Sequence, residues 1–176
     1  MPHLRPRYAY QALERKLKFA RVVAIQGVRQ CGKSVLASHF LRLNYPGIRV
    51  ERFDLSATRT FAHESPDLFL RERAEARPLV IDEAQKVPEI FDAIKVRVDE
   101  NPEPGCFVLL GSTEFSHQFK IQESLTGRMS RLRMYTMTLG ETIGLTYKKG
   151  SVSSLLQRGP RATPEPRRPV EPLRVA

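Results

Sequence analysis

One eight-residue stretch limits the folds open to this chain more than any other. Residues 27–34 are Gly-Val-Arg-Gln-Cys-Gly-Lys-Ser, which fits the pattern G-x-x-x-x-G-K-[ST]. The apolar residues 21–26 before it predict a buried strand, and Leu36, Phe40 and Leu43 after it have helical spacing. A chance glycine-rich turn is the alternative, which this strand-to-helix context disfavours. The stretch therefore predicts a phosphate-binding P-loop.

The parts of such a loop have different roles. Backbone N–H groups would surround the phosphates of a nucleoside triphosphate, and the helix dipole would add partial positive charge. Lys33 would reach the β- and γ-phosphates, and Ser34 would offer its hydroxyl to Mg²⁺. For Arg29 a surface or ion-pair role is favoured over contact with nucleotide. We therefore expect ATP and Mg²⁺ as ligands, with the nucleotide held by Gly27, Val28, Arg29, Gln30, Cys31, Gly32, Lys33 and Ser34.

A second signal lies downstream of the loop. The apolar residues 78–81 lead directly into Asp82 and Glu83. At the carboxyl end of a strand, Asp82 would hold the Mg²⁺ shell and Glu83 would polarise a water for attack on the γ-phosphate. Neighbouring strand residues point to opposite faces, so two separate roles are more natural than a shared one. Solvated acids at an exposed strand end are the alternative, which the P-loop upstream disfavours.

Length and composition narrow the class of protein. The 176 residues suffice for one α/β domain, and a hydrophobic content of 41% is ordinary for a globular protein. No apolar run is long enough to cross a membrane, and the N-terminus lacks a secretory signal, so a cytoplasmic protein is expected. Cys31 and Cys106 are the two cysteines, and neither lies in a C-x-x-C pattern, which favours free thiols.

The net charge of +10 raises the question of nucleic-acid binding. Residues 148–176 hold seven basic and two acidic residues, a net excess of five and so half of that charge, together with five prolines. Such a segment buries too little apolar surface to fold, so we expect a disordered basic tail over residues 146–176. A solvated tail is the simpler interpretation. Contact with nucleic acid or an acidic partner has weaker support.

Strands and helices are predicted to alternate along the rest of the chain. The predicted strands are residues 21–26, 48–55, 79–82, 105–110 and 131–137, and the predicted helices are about 67–76, 87–98 and 115–125. This alternation predicts an α/β P-loop fold, a three-layer sandwich with a mostly parallel five-stranded sheet. Ligands of such sheets bind beyond the carboxyl ends of the strands. The predicted organisation is an N-terminal segment over 1–20, a core over 21–145 and the tail.

Four blocks of the sequence resemble the prokaryotic AAA-type ATPases that usually carry a C-terminal domain of unknown function. The blocks are GVRQCGKS, PLVIDEAQKVPEIFDAIKVRVDE, PGCFVLLGSTEF and ESLTGRMSRLRMYTMTLGE, and they follow the family's order within residues 5–145. The Asp-Glu-x-Gln-Lys-x-Pro and Ser-Leu-x-Gly-Arg patterns are more specific than the P-loop, which many unrelated families share. Val28 is a departure, since the family usually has proline there.

The resemblance implies two further site residues. Ser112 or Thr113 stands where these ATPases carry a polar residue that senses the γ-phosphate or its water, although capping of the next helix is an equal alternative for Ser112. Arg128 stands where they place an arginine finger that acts on a neighbouring subunit, which implies a homo-oligomer. The alternative is a surface arginine near Arg131 and Arg133.

The resemblance also implies that a helical lid is missing after the core. AAA-type ATPases have a helical lid after the core, whereas here a short segment after Thr142 leads into the basic tail, which indicates a truncated chain. We expect ATP binding with slow Mg-dependent hydrolysis that drives a conformational switch, and a client protein that the sequence does not identify. The alternatives are a nucleotide-binding module or remnant without turnover, and a nucleic-acid-associated ATPase fragment.

Overall fold

Strands and helices alternate in the computed structural model, which describes residues 5, 7–73, 75, 77–112 and 125–144. The strands are β1 (Val22–Gln26), β2 (Arg49–Arg52), β3 (Leu79–Asp82), β4 (Phe107–Gly111) and β5 (Met129–Arg133). The helices are α1 (Tyr8–Leu17), α2, α3 (Ser56–Glu64), α4 (Pro66–Arg73), α5 (Glu89–Glu100) and α6 (Leu139–Thr142). Helix α2 runs through Lys33–Val35, a π-helical segment at Leu36–Phe40, and Leu41–Asn44.

The five strands pair in parallel in the order β2-β3-β4-β1-β5. This arrangement confirms the predicted α/β P-loop fold and its five-stranded sheet. In register, Gln26 at the end of β1 lies beside Gly111 of β4 and Arg133 of β5. Asp82 at the end of β3 lies beside Leu110. Because all strands run the same way, the segments that follow β1, β3 and β4 meet at one edge of the sheet.

Helices cover both faces of the sheet, and β1 shows how one strand serves two cores. Val22 and Ala24 pack into a cluster with α3, α4 and α5, whereas Val23 and Ile25 pack into a second cluster with α1 and α2. Successive residues of a strand face opposite sides, so a strand with both faces covered must be apolar throughout. This requirement explains the apolar composition of β1, β3 and β4, which are buried along their whole lengths.

Several element boundaries differ from the sequence predictions. Strand β2 ends at Arg52, before the predicted limit, and helix α3 starts at Ser56 in a stretch for which the pattern predicted no helix. Strand β5 spans Met129–Arg133 instead of 131–137. Its partner β1 ends at Gln26, which pairs with Arg133, and the chain then turns into the loop, so residues 135–137 lie beyond the end of β1.

Several predictions fall on residues outside the described ranges. They include most of the helix predicted at 115–125, Thr113, and the tail from 146, whose predicted disorder stays a prediction. Within the described ranges, Cys31 and Cys106 are both free thiols. No helix there has both the length and the apolar character that a membrane crossing requires.

Candidate nucleotide site

The loop between β1 and α2 depends on its two glycines for different reasons. A Cβ added at Gly27 would lie 2.2 Å from the carbonyl oxygen of Met134 and 2.9 Å from Cys31 Sγ. Gly32 has a φ of 94°, in the left-handed region that glycine adopts without steric cost. The first glycine therefore permits close packing against the residue after β5, and the second permits the turn into α2.

We predict that Gly27→Ala destabilises the protein by about 1–3 kcal/mol, because the new methyl group would overlap a backbone oxygen that is held in place. The Met134 N–H donates to the Gln26 carbonyl, so the obstructing residue cannot move away without losing that hydrogen bond. Gly47→Ala is the matched control, since an added Cβ there meets nothing within 4 Å. Urea unfolding of both variants measures the difference, and equal midpoints would contradict the packing role of Gly27.

Lys33 begins α2 and turns back over the loop. Its side chain is 7% exposed. The ammonium donates to the carbonyl oxygens of Gly27 at 2.8 Å and Val28 at 3.0 Å. It also lines a cavity of about 360 Å³, together with Arg29, Gln30, Gly32, Ser34, Val35 and Glu83. The cavity is large enough for a small ligand, and Lys33 places a positive charge in its wall.

Ser34 and Asp82 meet across the edge of the sheet, 48 residues apart in sequence. Ser34 Oγ donates to Asp82 Oδ2 at 2.7 Å. Asp82 is only 5% exposed, and its other oxygen, Oδ1, has no hydrogen-bond partner among the described residues. A buried carboxylate oxygen without a partner is costly, so it suits a bound cation. The pair fits Mg²⁺, which protein sites typically hold through one or two carboxylates together with substrate phosphates.

Glu83 follows β3 in an unusual backbone conformation. Its φ of 58° is left-handed, and Gln30 in the loop, with φ 64°, is the other non-glycine residue of the described part with positive φ. Both line the cavity. Gln85 Nε2 donates to Glu83 Oε2 at 2.5 Å. Strained residues of this kind cluster at functional sites, because the surrounding structure must hold them in place.

A pair of charged residues, Lys86 and Asp54, lies near Arg29 of the cavity wall. Lys86 donates a hydrogen bond to Asp54 just after β2. That bond holds the pKa of Asp54 below its usual value against the opposing effect of burial, and the charges of Lys86, Arg52 and Arg29 lower it further. Arg29 is thus an exposed residue near an acidic partner, as well as part of the cavity wall.

The structure brings one of the two residues implied by the resemblance to this edge. Ser112 directly follows β4, which lies between β1 and β3, so it lies between the P-loop and Asp82. Arg128 lies at the other end of the sheet, where its carbonyl accepts from the N–H of Val22 at the start of β1. It forms a two-pronged ion pair with Asp99 at 2.6 and 2.8 Å, which holds the pKa of Asp99 below its usual value.

Arg128 therefore does not complete the site within its own chain. Gln26 is four residues after Val22, so the two ends of β1 are about 13 Å apart. Its action on a neighbouring subunit stays a prediction.

Two functional candidates, Arg7 and Glu141, were not found from the sequence. Arg7 lies in the N-terminal segment, residues 1–20, which the sequence prediction placed outside the core, and no sequence motif includes it. Glu141 has a local signal, because Thr138 and Glu141 have the spacing of a capping box and form one at the start of α6. Arg7 Nε and Glu141 Oε1 lie 3.1 Å apart, and both side chains are buried.

Comparison with known proteins assigns the family. A family model described as an AAA domain matches residues 20–143, which is most of the chain. The chain belongs to the AAA domain family. Uncharacterized proteins of Mycobacterium tuberculosis and Mycobacterium bovis are each 31% identical to it over 134 residues, covering 76% of this chain and 29% of theirs. The chain thus spans about three-tenths of the length of these curated relatives.

Solved structures share the fold of this AAA domain. A Walker-type ATPase of Pyrococcus abyssi superposes with a TM-score of 0.54 at 13% identity, covering 88% of this chain and 63% of that one. The Pif1 helicase from Candida albicans gives a TM-score of 0.50 at 17% identity, covering 79% and 42%. The family match and the shared fold together confirm the predicted AAA-type P-loop ATPase. Members of this family bind nucleotide and generally use Mg²⁺.

Proposed function

We propose that this AAA domain binds Mg-ATP in the cavity at the P-loop and hydrolyses it slowly. The observation that carries the proposal is the contact between Ser34 and Asp82, with Asp82 Oδ1 buried and unpartnered among the described residues. A hydroxyl from the P-loop and a carboxylate from the end of β3 are the two protein groups that P-loop enzymes use to hold the metal.

The other residues of the cavity have complementary tasks. Lys33 would exchange the carbonyls of Gly27 and Val28 for the β- and γ-phosphates, and the N–H groups of the loop would surround the same phosphates. Glu83 would accept a proton from the attacking water, and Ser112 would contact the γ-phosphate or that water. Bound Mg²⁺ would neutralise charge on the β- and γ-phosphates.

The switch and the assembly are part of the same proposal. Turnover would return Lys33 from the phosphates to the loop carbonyls, and this exchange is the local step of the conformational switch. Arg128 of a neighbouring copy would complete the site in a homo-oligomer. The client protein would respond to the switch.

The test is the Mg²⁺ dependence of ATP binding in the parent and in Asp82→Asn. Asparagine keeps the size but loses the charge, so added Mg²⁺ should strengthen ATP binding of the parent by about tenfold or more and leave the variant nearly unchanged. Asp67→Asn, an exposed position on α4, is the matched control and should behave like the parent. Titration calorimetry with and without Mg²⁺ measures this, and an equal response in Asp82→Asn would contradict the metal site.

A further inference from the structure

The guanidinium of Arg7 contacts the P-loop, and each of its nitrogens donates to a different segment. Nη1 donates to the carbonyl oxygen of Cys31 in the loop at 2.5 Å, and Nη2 donates to that of Tyr135 after β5 at 2.7 Å. Nε donates to Glu141 Oε1 at 3.1 Å. Arg7 is 9% exposed. A planar fork of donors is the side chain best suited to join three such acceptors.

The bond to Cys31 determines which way the next N–H group points. A trans peptide is planar, with its carbonyl oxygen and the following N–H on opposite sides. Because the Cys31 carbonyl points to the Arg7 guanidinium, the N–H of Gly32 in the same peptide points away from Arg7. Gly32 lines the cavity that also contains Lys33 and Ser34. Arg7 therefore orients a backbone donor of the kind that surrounds phosphates in a P-loop.

Glu141 keeps Arg7 in this position. It is 4% exposed, and it accepts from the N–H groups of Tyr8 at 2.7 Å and Thr138 at 2.8 Å as well as from Arg7. Burial would raise the pKa of Glu141, but the N–H bonds and the Arg7 guanidinium together hold it below its usual value. The carboxylate is therefore charged and compensates the buried charge of Arg7, as a buried ion pair requires.

We propose that Arg7, held by Glu141, is a positioning residue for nucleotide binding that sets the Cys31–Gly32 peptide for its contact with the phosphates. The proposal rests on the proposed function, since it assigns a role at the same cavity. It also gives the segment before β1 a part in the site, through a residue that lies outside the family match at 20–143.

The test compares Arg7→Lys with the parent in calorimetric titrations of Mg-ATP and Mg-ADP. Lysine keeps the positive charge, but a single ammonium cannot reach three acceptors in three directions. We expect both affinities to fall by about tenfold or more, because the N–H contacts of the loop serve the phosphates that ATP and ADP share. The number of sites per total chain should stay the same. Arg15→Lys, at an exposed position on α1, is the matched control.

The stoichiometry separates positioning from folding. A residue needed only for stability would lower the number of competent sites and leave the affinity of those that remain unchanged, which would overturn the proposal. If Arg7→Lys binds both nucleotides as tightly as the parent while Lys33→Ala binds ATP well over about tenfold more weakly, the positioning role is wrong and the proposed function stands. If Lys33→Ala also binds as the parent does, the proposed function itself is wrong.

A second variant keeps the test decisive if Arg7→Lys does not fold. The double variant Arg7→Gln with Glu141→Gln removes both buried charges together, so neither is left unpaired. The amide at position 7 has two N–H donors on a single nitrogen, so it cannot join all three segments. The same loss of affinity at unchanged stoichiometry supports the proposal, and parent-like affinity overturns it. In NMR spectra, the N–H resonance of Gly32 should shift on ADP binding in the parent and shift less in either variant at the same saturation.

Discussion

Replacement of Lys33 by alanine is expected to weaken ATP binding by well over about tenfold, or about 1.4 kcal/mol. Among the described residues that line the cavity, Lys33 is the one lysine. The side chain is largely buried and donates to two carbonyls of the loop, so it is already directed across the phosphate site. Alanine leaves those carbonyls and the phosphates without that donor.

Calorimetric titration with Mg-ATP measures this effect. Lys95→Ala, an exposed position on α5, is the matched control for loss of a positive charge and should bind like the parent. Thermal melting of both variants shows whether the fold is kept. Equal ATP affinity of Lys33→Ala and the parent would exclude the P-loop as the nucleotide site.

The second large effect is expected from Glu83→Gln, which should lower turnover by about 10²–10⁴-fold while ATP binding stays nearly intact. Glutamine keeps the size of the side chain and can still accept the hydrogen bond from Gln85, but it cannot take a proton from water. The left-handed backbone at Glu83 would be retained, because the substitution changes only the end of the side chain.

Phosphate release at saturating Mg-ATP measures the turnover of this variant. Glu64→Gln, an exposed position on α3, is the matched control. A Glu83→Gln variant that turns over like the parent would show that Glu83 is not the base. A parent that binds ATP without releasing phosphate would favour the alternative of a nucleotide-binding module.

Much of the candidate site was predictable because its chemistry is local in sequence. The eight residues of the P-loop are contiguous, and the apolar strand before Asp82 places that carboxylate at a strand end. Parallel pairing then brings Asp82 to within 2.7 Å of Ser34. The strand-and-helix alternation was sufficient for the α/β fold, since each strand with two covered faces must be apolar along its length.

Boundaries were less predictable because they depend on partners. The alternating residues 131–137 are a good strand pattern, yet β5 stops at Arg133 because β1 ends at Gln26. Likewise, the sequence does not show that Arg128 faces Asp99 at the end of the sheet remote from the loop.

The amino-acid sequence by itself therefore determined the P-loop, the acidic strand end and the fold class, all of which arise from short contiguous patterns. Only the tertiary structure decided that Arg7 supports the loop. Its partners Cys31, Tyr135 and Glu141 lie 24, 128 and 134 residues away. The physical reason is that a buried guanidinium must have its donors satisfied wherever acceptors meet in space, and no local spacing along the chain encodes such a meeting.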